Sequence, residues 1–494
     1  MQPLPTIYFR LFLIGIVLAV NHATIKNQRE PIMTKKSNRL GHFLALLSAL
    51  TTVLILSSFQ AQAMPSFSRQ TGMACTQCHT QSFGPNLTPF GRDFKLGGYT
   101  MSGGKGTEAK LPPLSGMVMG SFTHTNRKQD PANLASGFSA NNNFTFDEAS
   151  LFYAGKIYGK LGAFVQLTYD GYEDRLVMDK TDIRIADNTE LFDIPLTYGI
   201  SLNNDPTVQD LWNTTPSWSF PYTGTGVQPA VGSTALIDGV LSSQVGGGSA
   251  YTMIGNMLYL EAGAYASFTN NMQKGMGIGT TVDEASPTSG RARLDGPAPY
   301  WRVALQKDFA GHYFSLGHYG LSADVLPNKL LGFGTSMGHD HFTDVAVDAT
   351  YQYMANPKHI FEAKTTYIYE DQKLNASRAI AIDPANSRTH LSTYKLNLAY
   401  TFDQTYGATF AYNKINGSRG PIFADGIDTG QTRPNSEYFT GELVYVPFGK
   451  SNSYLSPWLN LRTSLQYIHY NQANGTSAQA AHNNTFMMNG WLAF

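Results

Sequence analysis

Two thiols and an imidazole stand together at Cys75-Thr76-Gln77-Cys78-His79, in a 494-residue chain with no other cysteine. Cys-x-x-Cys-His is the attachment pattern of a c-type haem. Thiols at this spacing reach the two vinyl groups of one porphyrin, and the adjacent imidazole is placed to bind the iron from the proximal side. A thioredoxin-type pair needs a surrounding βαβ pattern, and a structural zinc site needs four ligands; the segment offers neither. The expected cofactor is one covalently bound haem c, held by Cys75, Cys78 and His79.

The distal iron ligand is open at this level. Between Thr80 and Lys110 there is no histidine and a single methionine, Met101. Met117 and Met119 share one face of the first expected strand, with Leu114, Val118 and Phe122 on the other, so either methionine could turn inward to the iron. Met101 and His124 are rivals, and an open position is a further option. The segment around the motif, residues 64–111, is rich in Gly and Pro and too short to wrap a haem in a core of its own. It must lean on the rest of the chain.

Residues 1–63 read as targeting sequence. Lys35, Lys36 and Arg39 precede an apolar run from Phe43 to Leu56, and Ala61-Gln62-Ala63 follows, so cleavage after Ala63 is expected, with Met33 as the true start. Export suits haem attachment, which takes place outside the cytoplasm. The leader holds six basic residues and one acidic, which leaves 29 basic against 34 acidic and a formal charge of −5 on the remainder. That balance excludes a nucleic-acid binder resting on global positive charge. Charged residues make up 14% of the chain, beside 47 Gly, 27 Tyr and 29 Phe, which points away from an ordinary cytosolic enzyme.

After Ala63 no run approaches the roughly 18 apolar residues of a membrane helix, so any membrane crossing must be made by a closed barrel. Residues 112–494 fit one. Sixteen segments of period-two alternation are expected, at 113–124, 146–158, 160–170, 178–187, 193–203, 236–254, 257–267, 298–309, 311–322, 342–354, 358–370, 391–402, 404–415, 437–447, 457–470 and 483–494. In the tenth, Val345, Val347, Ala349, Tyr351 and Tyr353 alternate with Asp344, Ala346, Asp348, Thr350 and Gln352. Tight turns at Gly255-Asn256, Ala310 and Asp403 alternate with long polar loops at 125–145, 204–235, 268–297 and 416–436.

Short periplasmic turns, long external loops and an even strand number are the pattern of a bacterial outer-membrane barrel. The last segment alternates through Phe486, Met488, Gly490, Leu492 and Phe494 to a terminal aromatic residue. Tyr367 with Tyr369, and Tyr467 with Tyr470, suit interfacial girdles. The expected fold is all-β: a 16-stranded antiparallel outer-membrane barrel in lipid, its lumen plugged by the haem segment entering from the periplasmic side. Asp344, Asp348 and Glu362 should face the lumen, as solvated wall or as a path for cations. His339 and His341 fall beside Asp340 in what reads as a polar external loop with weak metal-capturing character.

The runs Pro65 to Gly72, Cys75 to His79, Leu87-Thr88-Pro89-Phe90-Gly91-Arg92 and Phe94-Lys95 resemble the outer-membrane monohaem cytochrome-porin fusions of iron-oxidising bacteria. Asn203 to Trp212, with Pro216, Ser217 and Trp218, is similar to that family as well. The resemblance covers essentially the whole chain after the leader. It implies one-electron oxidation of extracellular Fe(II), at most a ferrous iron oxidase activity without a bond-making catalytic residue. The electron would pass to a periplasmic carrier such as a soluble cytochrome. A conduit for another external redox partner and a solute porin with a haem cap are the alternatives.

Overall fold

Strands form here because polarity alternates residue by residue, which lets each segment present unlike faces to unlike surroundings. The computed structural model describes residues 65–103, 112–131, 134–229, 231–277, 293–326, 338–376, 387–418, 433–456 and 458–494. The leader expected over 1–63 lies outside these residues.

The strands are β1 (Leu114–Thr125), β2 (Asn143–Tyr158), β3 (Leu161–Asp170), β4 (Arg175–Leu191), β5 (Ile194–Asn203), β6 (Val245–Ile254), β7 (Leu258–Ser267), β8 (Arg293–Leu294), β9 (Ala298–Phe309), β10 (His312–Leu326), β11 (Asp340–Tyr353), β12 (His359–Lys373), β13 (Arg388–Phe402), β14 (Tyr406–Gly417), β15 (Ser436–Tyr445), β16 (Asn460–Gln472) and β17 (Thr485–Ala493). Each pairs antiparallel with its neighbours, and β1 closes the sheet by pairing with both β2 and β17. The two-residue β8 and β9 both pair with β10 and share one position, so the seventeen strands make sixteen staves. At the seam the Gly116 N–H donates to the Phe494 carbonyl at 2.6 Å and receives the reciprocal bond at 2.8 Å, so the C-terminal residue helps lock the closure.

Polarity is inverted relative to a water-soluble sandwich. On β11, Asp344 and Asp348 are 0% and 2% exposed, whereas Val345 and Val347 are 40% and 48% exposed. Leu316, Phe361, Leu398, Phe410, Leu443 and Leu465 continue the exposed apolar face on neighbouring staves. A continuous apolar belt around a polar interior is stable only where the outside is lipid. Val347→Arg, near the middle of β11, should therefore destabilise the barrel by about 2–4 kcal/mol in a bilayer. The measurement is urea unfolding in vesicles; an unmoved midpoint would show that lipid does not cover this face.

Three expectations need correction. The sixth strand begins at Val245 rather than 236, because Leu236–Val240 forms a tight irregular turn, with Gly239 at φ 93°, that packs inside the lumen. Its apolar run lacks true alternation. The turns do not alternate throughout: β3 and β4 are joined at the long-loop end by 171–174 alone, and 446–459 makes a long connection at the opposite end. Tyr367, Tyr369 and Tyr467 face outward as expected, but Tyr470 is buried against Tyr438, since residues 467 and 470 point to opposite faces of a strand.

Among the described residues, two pieces of chain occupy the lumen. One is residues 65–103, with α1 (Pro65–Thr71), α2 (Cys75–Cys78) and α3 (Pro89–Leu96). The other is the connection 204–244 between β5 and β6. Its backbone is held by lumen-facing carboxylates: Leu236 N–H donates to Glu370 at 2.5 Å and Ile237 N–H to Asp344 at 2.6 Å. Asp348 binds Arg302 through two bonds of 3.0 and 2.9 Å, and Glu362 lies 3.4 Å from Lys364. The expected inward carboxylates thus face the lumen, but Asp344 and Asp348 anchor its contents, the latter also through the Thr214 hydroxyl, and Glu362 is paired within the wall with Lys364 and Gln352, so they do not form an open track for cations.

Candidate haem-binding site

Each part of the Cys-His segment is placed by local chain chemistry. Gly72 takes a positive φ of 73° and ends α1, where only a residue without Cβ turns the chain cheaply. The single turn of α2 puts Cys75 and Cys78 on one face, three residues apart, and the His79 N–H closes that turn on the Cys75 carbonyl at 2.8 Å. His79 then bridges to Leu87, which folds the chain back along itself. Thr88 caps α3 by accepting from the Gly91 N–H at 3.2 Å, and Pro89 occupies the first helical position.

Gly91 is where α3 crosses the Cys-His turn. A Cβ there would lie 2.3 Å from the Cys78 carbonyl oxygen. Gly91→Ala should push α3 off the turn and lower covalent haem per folded barrel at least several-fold. Haem staining, compared with heat-modifiable migration of the barrel, checks this; full haem loading would show that the close approach is dispensable.

The segment is tied to the wall on several sides. Arg92 lies 3.7 Å above the Tyr313 ring and donates to Gln352 at 2.9 Å. Tyr99 donates to Asp182 at 2.6 Å. Lys95 donates to the carbonyls of Val208 and Asp210 at 2.8 and 2.6 Å, which joins the two lumen segments. Burial pulls the Lys95 ammonium down to about 7, with Arg184 acting in the same direction and Asp182 and Asp210 against it. Asn460 on β16 donates to the Ser82 carbonyl at 2.8 Å and approaches Cys75 Sγ at 3.5 Å.

Cys75, Cys78 and His79 border a cavity of about 540 Å³ between these segments and the wall. Its size lies within the roughly 300–1,000 Å³ of cofactor pockets. Aromatic residues dominate one region: Phe67 packs edge-on to Phe94 at 5.0 Å, Phe83 meets Trp491 at 4.7 Å, and Phe164 meets Trp218 at 6.0 Å. Glu148, Asp179, Lys180 and Lys395 bring charge to the same space. The imidazole of His79 is engaged through Nδ1, 3.1 Å from the Asn86 carbonyl. That bond keeps the proton on Nδ1 and leaves Nε2 as a lone-pair donor, the usual preparation of a metal-binding histidine. Burial lowers His79 to about 4, so the ring is neutral at ordinary pH, and burial raises Cys78 to about 11. Asn86 is itself fixed by Tyr222 and Lys364, each 2.7 Å from its side-chain oxygen. An apolar cavity, two adjacent thiols and a neutral, oriented imidazole fit a covalently held haem.

Met117 and Met119 both point inward and line the cavity. Of the rivals, Met101 is exposed, and His124 lies at the far end of β1 with its ring 2.7 Å from Asn142, away from the cavity lining. Sequence reasoning passed over Met73, which lines the same space; its position two residues before Cys75 was the available signal. It also missed that 204–244 supplies Trp218, Phe220 and Tyr222 to the cavity. Among the described residues no three His, Cys, Asp or Glu side chains form an ion cage.

No family model and no curated protein matches this sequence. Solved structures similar to it include the outer membrane channel DcaP of Acinetobacter baumannii, at 11% identity and TM-score 0.43 over 77% of this chain and 96% of that one. An anion-selective porin from Comamonas acidovorans is 14% identical with TM-score 0.41, over 77% and 98%. A loop-deletion form of OmpT, an outer membrane protein of Vibrio cholerae, is 9% identical with TM-score 0.40, again over 77% and 98%.

Proposed function

We propose that this protein is an outer-membrane cytochrome that passes single electrons across the membrane, from extracellular Fe(II) to a periplasmic carrier. The observation that carries this reading is the cavity at Cys75, Cys78 and His79 inside a lipid-facing barrel. Iron as donor comes from the family resemblance. A haem bound there would supply a one-electron acceptor within the lumen. The chain's part is positional. Cys75 and Cys78 would hold the porphyrin, and His79 would present Nε2 to its iron. The aromatic wall would pack against the porphyrin, and Met117, Met119 or Met73 could supply a second ligand to its iron. Outer-sphere transfer requires no general acid, base or nucleophile at the site.

The Cys-His segment would sit at the periplasmic end, beside the C-terminus, with the long loops outside. Anaerobic mixing of the purified protein with Fe(II), followed at the haem absorption band, tests the reading. Reduction by Fe(II) faster than by other small donors supports it, whereas a haem that Fe(II) does not reduce directs attention to another external partner. The sixteen-stave barrel also suits a solute porin capped by haem. Conductance in planar bilayers comparable to open porins would favour that second reading.

A further inference from the structure

Electron transfer through the lumen makes no use of a cluster of imidazoles and carboxylates at the long-loop rim. Of the three residues expected in an external loop, only His339 precedes β11, and Asp340 and His341 are its first two residues, because they continue the pairing of β11 with β10. The neighbour in sequence, Asp340, is turned inward, where its carboxylate accepts from the Ala376 N–H at 2.8 Å. The partners of the two histidines come instead from other parts of the rim. His339 Nδ1 lies 3.1 Å from Asp295, and His341 Nδ1 lies 2.7 Å from Asp324 near the end of β10.

Each imidazole therefore has Nδ1 engaged by a carboxylate, which orients the ring and leaves Nε2 as the nitrogen with a lone pair. His341 Nε2 is taken up by the hydroxyls of Thr343 and Ser322, at 3.2 and 3.4 Å. His339 Nε2 has a different neighbour, Asp324 Oδ1, at 3.6 Å. That separation is too long for a hydrogen bond. It suits two ligands of one cation, because bonds of about 2.0–2.2 Å from imidazole nitrogen and carboxylate oxygen set such ligands roughly 3–4 Å apart. His339 and Asp324 are 41% and 37% exposed, so water can complete the coordination.

We propose that His339 Nε2 and the Asp324 carboxylate form an open binding site for a first-row divalent transition cation. Asp295 and His341 act as positioning residues, one for each ligand. A mixed nitrogen and oxygen set favours such ions over Mg²⁺, which keeps to oxygen and to its own water. The site is separate from the haem cavity and does not depend on what that cavity holds. In the proposed orientation it lies on the external side, where a ferrous donor arrives.

Zn²⁺, which is redox-inert, is the probe. The full-length processed protein in detergent micelles, free of any histidine tag, is titrated with Zn²⁺ by calorimetry, with heat-modifiable migration as the folding control. One Zn²⁺ per chain is expected, undisplaced by Mg²⁺. His339→Ala and Asp324→Asn should each abolish measurable binding, and Asp295→Asn should weaken it by about 10–100-fold. Cys75→Ala should bind Zn²⁺ as the parent does, which separates this site from the haem reading. Absence of Zn²⁺ binding in the parent protein, or binding that survives both His339→Ala and Asp324→Asn, overturns the assignment.

Discussion

The double variant Cys75→Ala, Cys78→Ala will assemble as a barrel and carry no covalent haem. Neither sulfur takes part in strand pairing, and closure rests on the β1 to β17 seam, whose backbone ladder includes neither cysteine. Asn460, the wall residue that approaches Cys75, retains its bond to the Ser82 carbonyl. The Cys-His turn can therefore keep its place in the lumen while losing both points of attachment. The expected change is from one haem per chain to none, with reduction by Fe(II) lost completely. Haem staining and anaerobic stopped-flow absorbance measure the two effects, and heat-modifiable migration reports the barrel. A variant that kept barrel-bound covalent haem, or oxidised Fe(II) at the parental rate, would end the electron-transfer reading.

The second large effect is expected from Arg302→Met. Arg302 on β9 is fully buried and holds Asp348 on β11 through two bonds, with Asp210 of the 204–244 segment 3.1 Å away. It also lies 5.1 Å from the Trp212 ring centre and 5.2 Å from that of Tyr319. Removing the guanidinium takes from two buried carboxylates the cation they share, at a cost of about 3–5 kcal/mol. The barrel can avoid that cost without unfolding. The ladders of β9 with β7 and β10 are backbone bonds and survive the change, whereas Asp210 can leave with its segment and let water reach Asp348.

At about 1.4 kcal/mol per factor of ten, the ratio of docked to undocked segment should fall by two to three orders of magnitude. Single-channel conductance in planar bilayers is the readout, and it should rise from nearly closed to porin-like. Because Lys95 donates to carbonyls of the same segment, haem environment should change with it. Unaltered conductance would mean that the segment is held by other contacts, with Asp344 and Glu370 as the next to test.

Much of this molecule is legible in its sequence. Alternation such as Asp344 to Tyr353 is a local property, because side chains of a strand point to opposite faces whatever the strand pairs with. All sixteen staves were accordingly placed within a few residues, apart from the start of β6. The Cys75-Cys78-His79 motif is equally local: its spacing is one helical turn. The inward face of Met117 and Met119 follows from the same period as their outward neighbours.

What sequence could not decide was anything settled by partners distant in the chain. The run from Leu236 to Val240 reads as the start of a strand by composition. The carboxylates of Asp344 and Glu370, more than a hundred residues later, hold it inside the lumen as a turn, and Lys395 pairs with Asp238 of the same turn. Trp218 and Tyr222 belong to a loop in the sequence and to a cavity wall in the fold. His339 finds Asp295 and Asp324 rather than its neighbour Asp340, because strand register and not adjacency sets which side chains meet at a rim. Period and spacing travel with the residues themselves, so the chain alone determined a lipid-facing barrel and a haem-type motif. The filling of the lumen depends on which distant polar groups can satisfy one another away from water, and only the tertiary structure could decide that.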